Sequence, residues 1–426
     1  MATTLPIRSP LDSITYSDLY RRWEAGNWKA TDLDFTRDRE QWQTHFTEIE
    51  RKAALWNYSL FFWGEDAVTD GLSPYIDAAP LEEQKYFLAT QQADEARHAV
   101  FFNRFMHEVV GVGGERVADG LEAIKPQLTW GFLKVFDRLE TMAAELRRDR
   151  SIPKLAAAVT LYHVIIEASL AQPGQHFITS YLTERDVLPG FREGMENVQA
   201  DEQRHIGFGV KLLSDLRKMD DEVPHAVAEL LREVIPWTAA VLTPPGWDMR
   251  YIECFGSTLE DIGEEGALSL ETKMRSAGMP IEDLPGPPVF PVAGTPRERA
   301  ERGHRLVKAG YLGERRERPP TSREEMGLLF ETLAGGLQSS SACGPGTLQW
   351  EFGDAEPWHL HVANGSTRAE PGRLEHPRVT FKARHFADFV DVFAKHENPA
   401  LLMARGRFRP AGDLRWLWRS RGMFPG

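Results

Sequence analysis

The sequence predicts an all-α helical bundle followed by a small α+β domain. Up to about residue 285, long segments carry apolar side chains at a spacing of three to four residues, the pattern of a helix with one buried face. From about residue 321, short alternating runs are separated by Gly, Asn-Gly and Pro-Gly turns, which is typical of a sheet. A polar five-residue cassette, D-E-x-R-H, also occurs twice within the helical part. The predicted domains are residues 1–285 and 321–426, with a linker and connector helix over 286–320.

Composition and charge exclude several classes of protein. A chain of 426 residues, 42% of them hydrophobic, is long enough for two domains with buried cores. The net charge of −13 argues against binding to nucleic acid or to an anionic membrane. Cys254 and Cys343 are the only cysteines, so a reducing cytoplasm is the expected location. Residues 1–10 lack the apolar run of a secretory signal, and no apolar stretch is long enough to predict a membrane span.

The first domain is predicted to contain seven helical segments after an extended, turn-rich lead-in over residues 1–37. Pro80 suits the first turn of the second helix, and the glycines after Val110 end it. Ser151 and Pro153 suit the start of the fourth helix, which Pro173 should interrupt or kink. The aromatic residues of the lead-in, expected to pack on the surface, are Tyr16, Tyr20, Trp23 and Trp28. The predicted helices are 38–69, 80–110, 126–148, one beginning near 151, 191–219, 223–242 and 259–277.

In the second domain, a helix over 322–337 precedes short strands that we expect to form an antiparallel sheet, namely 347–352, 358–362 and 378–382. A helix over 385–395 and a closing helix near Leu414 complete this domain. The Pro- and Gly-rich stretch 284–296 is typical of a linker, and 297–308 of a charged connector helix. The histidines of this domain show no spacing typical of metal ligands: His359, His361, His385 and His396.

The two cassettes, which begin at Asp94 and Asp201, each place a Glu three residues before a His. In a helix, residues three apart lie on nearly the same face, so each cassette can direct a carboxylate and an imidazole to one point. Helical bundles use such a Glu-x-x-His unit twice, with one further Glu from each of two other helices, to hold two metal ions. Glu65 and Glu167 lie in apolar helices that precede the cassettes. The predicted metal ligands are Glu65, Glu95, His98, Glu167, Glu202 and His205.

This set of ligands predicts iron or manganese, because carboxylate oxygen and imidazole nitrogen suit these metals better than a thiolate-preferring metal. Four carboxylates largely neutralise two divalent ions. Glu95 and Glu202 are candidates for a bridging carboxylate that would hold two metals close enough to bind dioxygen between them. Asp66 could compete with Glu65, whereas His163 is expected to be a hydrogen-bonded core histidine.

Further residues are predicted to surround the ligands. Asp94 and Asp201 could each accept the proton on the non-metal nitrogen of a ligand His, from the opposite cassette. Arg97 and Arg204 could balance the charges of these aspartates. An apolar substrate pocket is expected to have three aromatic walls: Phe101, Phe102 and Phe105.

With these residues placed, the first 285 residues or so resemble the small subunit of ribonucleotide reductase and its relatives in the ferritin-like superfamily. The similarity to the ligand-binding oxidases of that group lies in FFWGEDAVTDGLSPYI, DEARH and DEQRH. The resemblance implies a ferritin-like bundle with manganese and iron, or two irons, and dioxygen as the oxidant. It also implies a fatty-acid-like ligand and a covalent link between Val68 and Tyr162 made by metal-driven oxidation. We also expect a homodimer and an electron donor.

Two residues limit what the resemblance implies. Regular helical geometry places Tyr162 about 140° round the helix from Glu167, so a Tyr at the metals requires a distorted helix. Where the reductase has its radical Tyr, four residues after the first ligand His, this chain has Phe102. The preferred hypothesis is therefore a dinuclear metal oxidase or oxygenase acting on a long-chain or lipid-like apolar ligand. The alternatives are a radical-generating, reductase-like small subunit and a non-catalytic lipid- or metal-binding protein.

Residues from about 321 to the end are similar to a sterol-carrier-protein domain. The similarity lies in WHLHVANGSTRAEPG and FADFVDVFAKHENPALLMARGRFRPAGDL. It implies an apolar tunnel for a lipid-like ligand, and the alternative is an interaction or dimerisation module without a ligand.

Overall fold

The computed structural model describes residues 14–286, 294–337, 344–363, 366–394 and 396–419. Three parts of the chain discussed above lie outside the described residues: residues 1–10, the middle of the predicted linker (287–293) and Cys343. The chain forms two compact units, one of Met1–Val227 with Thr243–Asp283 and the other of Ala228–Leu242 with Leu284–Gly426. Residues 228–242 thus group with the second unit, although the sequence analysis assigns them to the first domain.

The first unit is a bundle of helices. Its α-helices are α1 (Tyr16–Ala25), α2 (Thr36–Thr44), α3 (Glu48–Gly71), α4 (Ser73–Ala78), α5 (Glu82–Phe105), α6 (Val117–Ile124), α7 (Trp130–Leu146), α8 (Ile152–Val159), α9 (Gln172–Arg185), α10 (Pro189–Met219), the start of α11 (Val223–Val241), α12 (Arg250–Glu253) and α13 (Leu259–Ser276). Its π-helical stretches are Met106–Val110 and Thr160–Ala171. Its 3-10 turns are Ala30–Asp32, Lys125–Gln127, Pro245–Trp247 and Ile281–Asp283. The predicted all-α helical bundle is confirmed for this unit.

Local capping explains why the first predicted helix is two helices. Thr47 accepts a hydrogen bond from the backbone N–H of Glu50, and the Glu50 carboxylate accepts one from the backbone N–H of Thr47 at 2.6 Å. This reciprocal capping box starts α3 and separates it from α2. The predicted lead-in is also not extended throughout, because α1 begins with a second capping box, between Thr15 and Asp18.

Of the predicted interruption or kink at Pro173, the interruption is not found, since one helical segment runs from Ile152 to Arg185. Its centre is π-helical, and the N–H of Gln172 bonds to the carbonyl of Glu167, five residues earlier. In the same five-residue register, the N–H of residue 173 would bond to the carbonyl of Ala168, but Pro173 has no N–H. Ser269 Oγ, from α13, donates to Ala168 O at 2.6 Å instead. The helix therefore passes the proline without leaving that carbonyl unpaired.

The same segment, Ile152–Arg185, is the one helix of the described residues that is long and apolar enough to span a membrane by length and composition. Its most apolar window is 78% buried inside the protein. That burial is typical of the core helix of a bundle.

Aromatic side chains fill the interior beside the ligand-bearing helices. Phe101 and Phe102 of α5 have ring centroids 4.9 Å apart, and Phe191 of α10 lies 4.1 Å from Phe105 and 4.5 Å from Tyr58. These rings are almost completely buried. They pack α3, α5 and α10 together and so fix the positions of the polar residues on those helices.

The second unit is an α+β fold, as predicted, but its sheet is mixed. Its helices are the remainder of α11, α14 (Pro296–Ala309), α15 (Arg323–Gly336), α16 (Phe386–Phe393), α17 (Pro399–Ala404) and α18 (Leu414–Arg419). Its strands are β1 (Gly346–Phe352), β2 (Trp358–Ala363), β3 (Ser366–Pro371), β4 (Val379–Ala383) and β5 (Phe408–Gly412).

The strand order is β3-β2-β1-β4-β5, and β1 runs parallel to β4. The prediction of a wholly antiparallel sheet is therefore wrong. The two strands that the sequence analysis missed, β3 and β5, are the edge strands and contain Pro371 and Pro410. Proline is tolerated at sheet edges but weakens the sequence signal of a strand.

We predict that Gly194→Ala destabilises the first unit. A Cβ atom at Gly194 of α10 would lie 2.2 Å from Cε2 of the buried Phe101, so the aromatic core would have to move, at a cost of about 1–3 kcal/mol. The control is Gly207→Ala on the same helix, where a Cβ meets nothing within 4 Å and should stabilise by about 0.5–1 kcal/mol. Chemical denaturation followed by helical circular dichroism measures both, and equal effects of the two substitutions would contradict the packing account.

Candidate metal centre

Six polar side chains meet inside the apolar bundle of the first unit. They come from four helical segments: α3, α5, the π-helical stretch and α10. All six are buried, with at most 6% of any residue exposed. They are the predicted ligands Glu65, Glu95, His98, Glu167, Glu202 and His205, named here the central cluster.

The central cluster divides into two groups. Within each group, the ligand atoms lie within 4.8 Å of one another. In the first group, His98 Nδ1 lies 3.2 Å from Glu65 Oε2 and 3.3 Å from Glu95 Oε2. In the second, His205 Nδ1 lies 3.1 Å from Glu95 Oε1 and 3.8 Å from Glu167 Oε1. Each group therefore offers one imidazole nitrogen and several carboxylate oxygens to a single metal ion.

Glu95 and Glu202 lie between the two groups. Glu95 belongs to both, with one oxygen towards each histidine. Glu202 places Oε1 3.7 Å from His98 Nδ1 and Oε2 3.7 Å from His205 Nδ1. Both residues are thus placed where a carboxylate would bridge two ions.

The hydrogen-bond pattern of the central cluster fits metal ions. Buried polar atoms are nearly always paired, because an unpaired one forfeits its hydration. Four ligand atoms nevertheless have no hydrogen-bond partner among the described residues: Glu95 Oε2, Glu167 Oε2, Glu202 Oε2 and His205 Nδ1. All four belong to residues of the two ligand groups, so the residues present can hold two metals.

The pKa shifts of residues in the central cluster also indicate that the cluster binds positive charge. Burial, together with the charge of Glu202, raises the pKa of Glu167 well above its usual range, and burial likewise raises the pKa of Glu65. Burial alone would lower the pKa of His98, but the charge of Glu65 and the hydrogen bond to Asp201 raise it well above its usual range. The cluster therefore takes up cations, either protons or metal ions.

The outer nitrogens of the two histidines are held by aspartates of the opposite cassette. His98 Nε2 lies 3.0 Å from Asp201 Oδ2, and His205 Nε2 lies 3.1 Å from Asp94 Oδ2. An Nε2–H donated to a carboxylate leaves the Nδ1 lone pair directed at the cluster. This crossed pairing ties α5 and α10 together through their two cassettes.

Arg97 and Arg204 lie around these aspartates. Arg97 donates to Asp201 Oδ2 at 2.8 Å and also to Asp94, while Arg204 donates to Asp94 Oδ2 at 3.3 Å and also to Asp201. Two buried carboxylates thus face two guanidinium groups, so their charges balance.

Trp23 and Trp28 complete this surrounding layer, and the sequence analysis assigned them only to surface packing. Trp23 Nε1 donates to Asp94 Oδ1 and Trp28 Nε1 to Asp201 Oδ2, each at 2.8 Å. The Trp28 ring also stacks on His98, with centroids 6.1 Å apart. Their sequence signal was weak, since nothing in a lead-in indicates which buried carboxylate an indole will reach. These two residues, with Asp94, Arg97, Asp201 and Arg204, are named the outer ring.

The π-helical stretch brings Tyr162 to the central cluster. Tyr162 Oη donates to Glu95 Oε1 at 2.6 Å, although a regular helix would direct it away from the face of Glu167. A π-helix bonds residues five apart, which brings Tyr162 and Glu167 towards one face. This is the helix distortion that the sequence analysis requires of a Tyr at the metals.

Gln91 links Tyr162 to the cluster, and the sequence analysis missed it. Its Nε2 donates to Tyr162 Oη and to Glu167 Oε1, each at 2.9 Å, while its Oε1 lies 3.2 Å from His163 Nε2. Burial lowers the pKa of His163 to about 3, so this ring is neutral and can donate to Gln91. His163 thus belongs to neither ligand group and orients Gln91. The available signal was a polar residue one helical turn before Glu95.

The remaining predicted residues are placed as follows. Val68 is buried on α3, one turn after Glu65, whereas Asp66 lies outside both ligand groups. Phe102 is completely buried and stacks on Phe61 with centroids 5.9 Å apart. The predicted pocket walls Phe101, Phe102 and Phe105 are part of the tightly packed aromatic core, and their role as pocket walls stays a prediction.

Comparison with known proteins agrees with this geometry. The model of the family "Ribonucleotide reductase, small chain" matches residues 9–243, more than half of the chain. The chain belongs to the ribonucleotide reductase small-chain family. The match ends before residue 284, so it leaves the sheet-containing part of the chain unassigned.

Solved structures of R2-like ligand-binding oxidases share the fold. One, a variant with an aerobically reconstituted Mn/Fe cofactor, has a TM-score of 0.54 and 21% sequence identity, and covers 62% of this chain and 94% of its own. Another, from Sulfolobus acidocaldarius, has a TM-score of 0.52 and 24% identity, and covers 63% of this chain and 94% of its own. The helical unit therefore shares its fold with these oxidases.

We predict that Glu95→Ala removes most of the bound metal. Because Glu95 contributes an oxygen to both ligand groups, its loss should lower transition-metal content from about two ions per chain to fewer than about one. The control is Glu196→Ala, which removes an exposed carboxylate from α10. Elemental analysis of the purified proteins measures the difference. If wild type holds no more transition metal than Glu95→Ala, the central cluster is not a metal site.

We also predict a graded effect of the outer ring on metal affinity. Asp201→Asn removes the carboxylate that orients His98 and should weaken binding about 10- to 100-fold. Trp28→Phe keeps an aromatic ring but removes the donor to Asp201, so its effect should be smaller. The control is Trp56→Phe, since the buried Trp56 Nε1 has no partner among the described residues. Chelator competition gives the affinities, and equal values for all four proteins would contradict the orienting role.

Proposed function

We propose that the chain is a dioxygen-activating dinuclear metal oxidase or oxygenase that acts on a long-chain or lipid-like apolar ligand. The observation that carries the proposal is the buried central cluster with the Tyr162 hydroxyl 2.6 Å from its shared carboxylate, Glu95. The metal pair is proposed to be manganese and iron, or two irons. Membership of the reductase small-chain family and the Mn/Fe cofactor of a similar solved oxidase support this choice.

When bound, two such metals supply the electrons and the open coordination positions that the reduction of dioxygen needs. The six ligands fix the two metal positions, and the crossed aspartates keep the histidine lone pairs directed inwards. The aromatic core on α5 and α10 excludes water from the surroundings of the cluster. A dry site strengthens the electrostatic interactions of the ligands and protects reactive species from solvent.

Tyr162 is the residue of this chain best placed to give up a proton and an electron at the site. Burial and the charges of Glu95, Glu167 and Glu202 raise the pKa of Tyr162 well above its usual range, so the phenol keeps its proton. The hydroxyl donates a hydrogen bond to Glu95 Oε1 and accepts a hydrogen bond from Gln91 Nε2. We propose that the Tyr162 hydroxyl and the Val68 side chain each lose one hydrogen and become joined by a bond, with dioxygen as the two-electron oxidant.

Phe102 argues against the second candidate, a radical-generating reductase subunit, although family membership favours it. A phenylalanine at this position cannot form a tyrosyl radical, and its ring is stacked on Phe61 in the core. A radical role would then have to use a metal-centred oxidant. Restoration of nucleotide reduction by a complementing large subunit would support that candidate.

The second unit is proposed to be a sterol-carrier-like module that binds a lipid-like ligand. Its apolar interior supports this reading, since Phe330 lies between Trp358 and Phe389 with both centroid distances 5.2 Å. The proposal also includes a homodimer, a cytoplasmic location and an electron donor whose identity is open.

The oxidative link gives the most specific test. A bond between the Val68 side chain and Tyr162 Oη removes one hydrogen from each residue, and dioxygen takes up the two electrons and two protons. Metal loading in air should therefore lower the intact mass by two hydrogen atoms, and peptide mapping should join Val68 to Tyr162. Tyr162→Phe should abolish the change. Tyr75→Phe, which alters a buried tyrosine whose ring lies 5.9 Å from that of Tyr162, should retain it.

The same experiment separates the candidates when dioxygen uptake is followed in parallel. Uptake with an unchanged mass would remove the link but keep an oxidase that acts on another group. No uptake by protein that holds two reduced metals would contradict the proposed function and favour a storage or binding role.

A further inference from the structure

A second group of potential metal ligands lies on the sheet of the second unit. His359 and His361 are two residues apart on β2, so their side chains lie on the same face of the sheet. Glu370 of β3 is the register partner of His359. Glu370 Oε2 lies 3.5 Å from His359 Nε2 and 3.9 Å from His361 Nε2. The sequence analysis found no ligand spacing here because it did not consider the two-residue repeat of a strand.

The hydrogen bond of His359 fixes which nitrogen faces the group. His359 Nδ1 lies 2.9 Å from the carbonyl oxygen of Gly372, and a carbonyl can only accept, so Nδ1 carries the proton. In a neutral imidazole, Nε2 then has a lone pair. This Nε2 is buried and has no hydrogen-bond partner among the described residues. In that neutral form the lone pair faces the Glu370 carboxylate across 3.5 Å, an arrangement that a cation between them would stabilise.

Glu370 is also held in place from the other side. Its second oxygen, Oε1, lies 2.8 Å from Arg368 Nη2, which leaves Oε2 directed at the two imidazoles. Metal ligands commonly have such outer partners, and here both His359 and Glu370 have one. The His359 side chain is only 7% exposed, whereas those of His361 and Glu370 are 39% and 40% exposed. One side of the group is therefore open to solvent.

We propose that His359, His361 and Glu370 bind one divalent transition-metal ion, with Zn²⁺ as the best fit. Two histidines and one glutamate with a water in the fourth position form a known tetrahedral zinc set. The exposed sides of His361 and Glu370 leave room for that water or for an anionic ligand. This site is independent of the central cluster and shares no residue with it.

Zinc titration calorimetry on the full chain tests the proposal. The variants His361→Gln and Glu370→Gln each remove one partly exposed ligand, and His376→Gln removes an exposed histidine outside the group. All four proteins keep the central cluster, so its contribution to the titration is the same in each. We expect one more saturable Zn²⁺ site in wild type and His376→Gln than in His361→Gln and Glu370→Gln. In these last two variants, the affinity of the proposed site for Zn²⁺ should fall by at least about 100-fold.

Cobalt provides a second measurement that does not depend on counting sites. Co²⁺ bound tetrahedrally at this group should add a visible absorption band to wild type that Glu370→Gln lacks, and circular dichroism verifies that the variant is folded. Equal numbers of Zn²⁺ sites in all four proteins would overturn the proposal. The group would then be an ion pair between a protonated histidine and Glu370.

Discussion

The cost of burying four carboxylates in an apolar bundle is the constraint on which the first unit depends. Glu65, Glu95, Glu167 and Glu202 are each at most 6% exposed, and an unpaired buried carboxylate costs several kcal/mol or takes up a proton. Two divalent cations would remove that cost by supplying four positive charges to the same small volume. Metal binding and the packing of α3, α5 and α10 are therefore coupled, because the cations stabilise only the arrangement that brings all four carboxylates together.

The outer ring connects the ligand histidines to other parts of the bundle through hydrogen bonds. Each aspartate receives hydrogen bonds from a histidine, an indole and the arginines, so the positions of the ligand rings depend on α1 and the lead-in as well as on α5 and α10. The π-helical stretch also contributes to the site, because it brings the Tyr162 hydroxyl to Glu95. Ser269 pairs the Ala168 carbonyl, which has no backbone donor in this stretch because Pro173 lacks an N–H. Both features place side chains where a regular, isolated helix would not.

The sequence predicts the parts of this site that follow from short-range periodicity. The two cassettes indicate Glu95, His98, Glu202 and His205, and apolar helices around Glu65 and Glu167 single out those two, because a buried carboxylate needs a partner. The sequence pattern does not predict contacts between segments that are distant along the chain. Trp23 and Trp28 act through tertiary contacts that leave no local pattern. The π-helical stretch receives a hydrogen bond from Ser269 of α13, 101 residues from Ala168 in the sequence, and β1 pairs in parallel with β4 through a long crossover. The ligand roles of the six residues stay predictions until a metal is observed.

Anomalous diffraction from crystals of the metal-loaded protein, collected at the manganese and iron edges, tests the central claim most directly. Two peaks inside the first unit are predicted, one between Glu65 and His98 and the other between Glu167 and His205, with Glu95 in contact with both. A single peak, or peaks that none of these residues contacts, would contradict the account of a dinuclear centre built from the two cassettes.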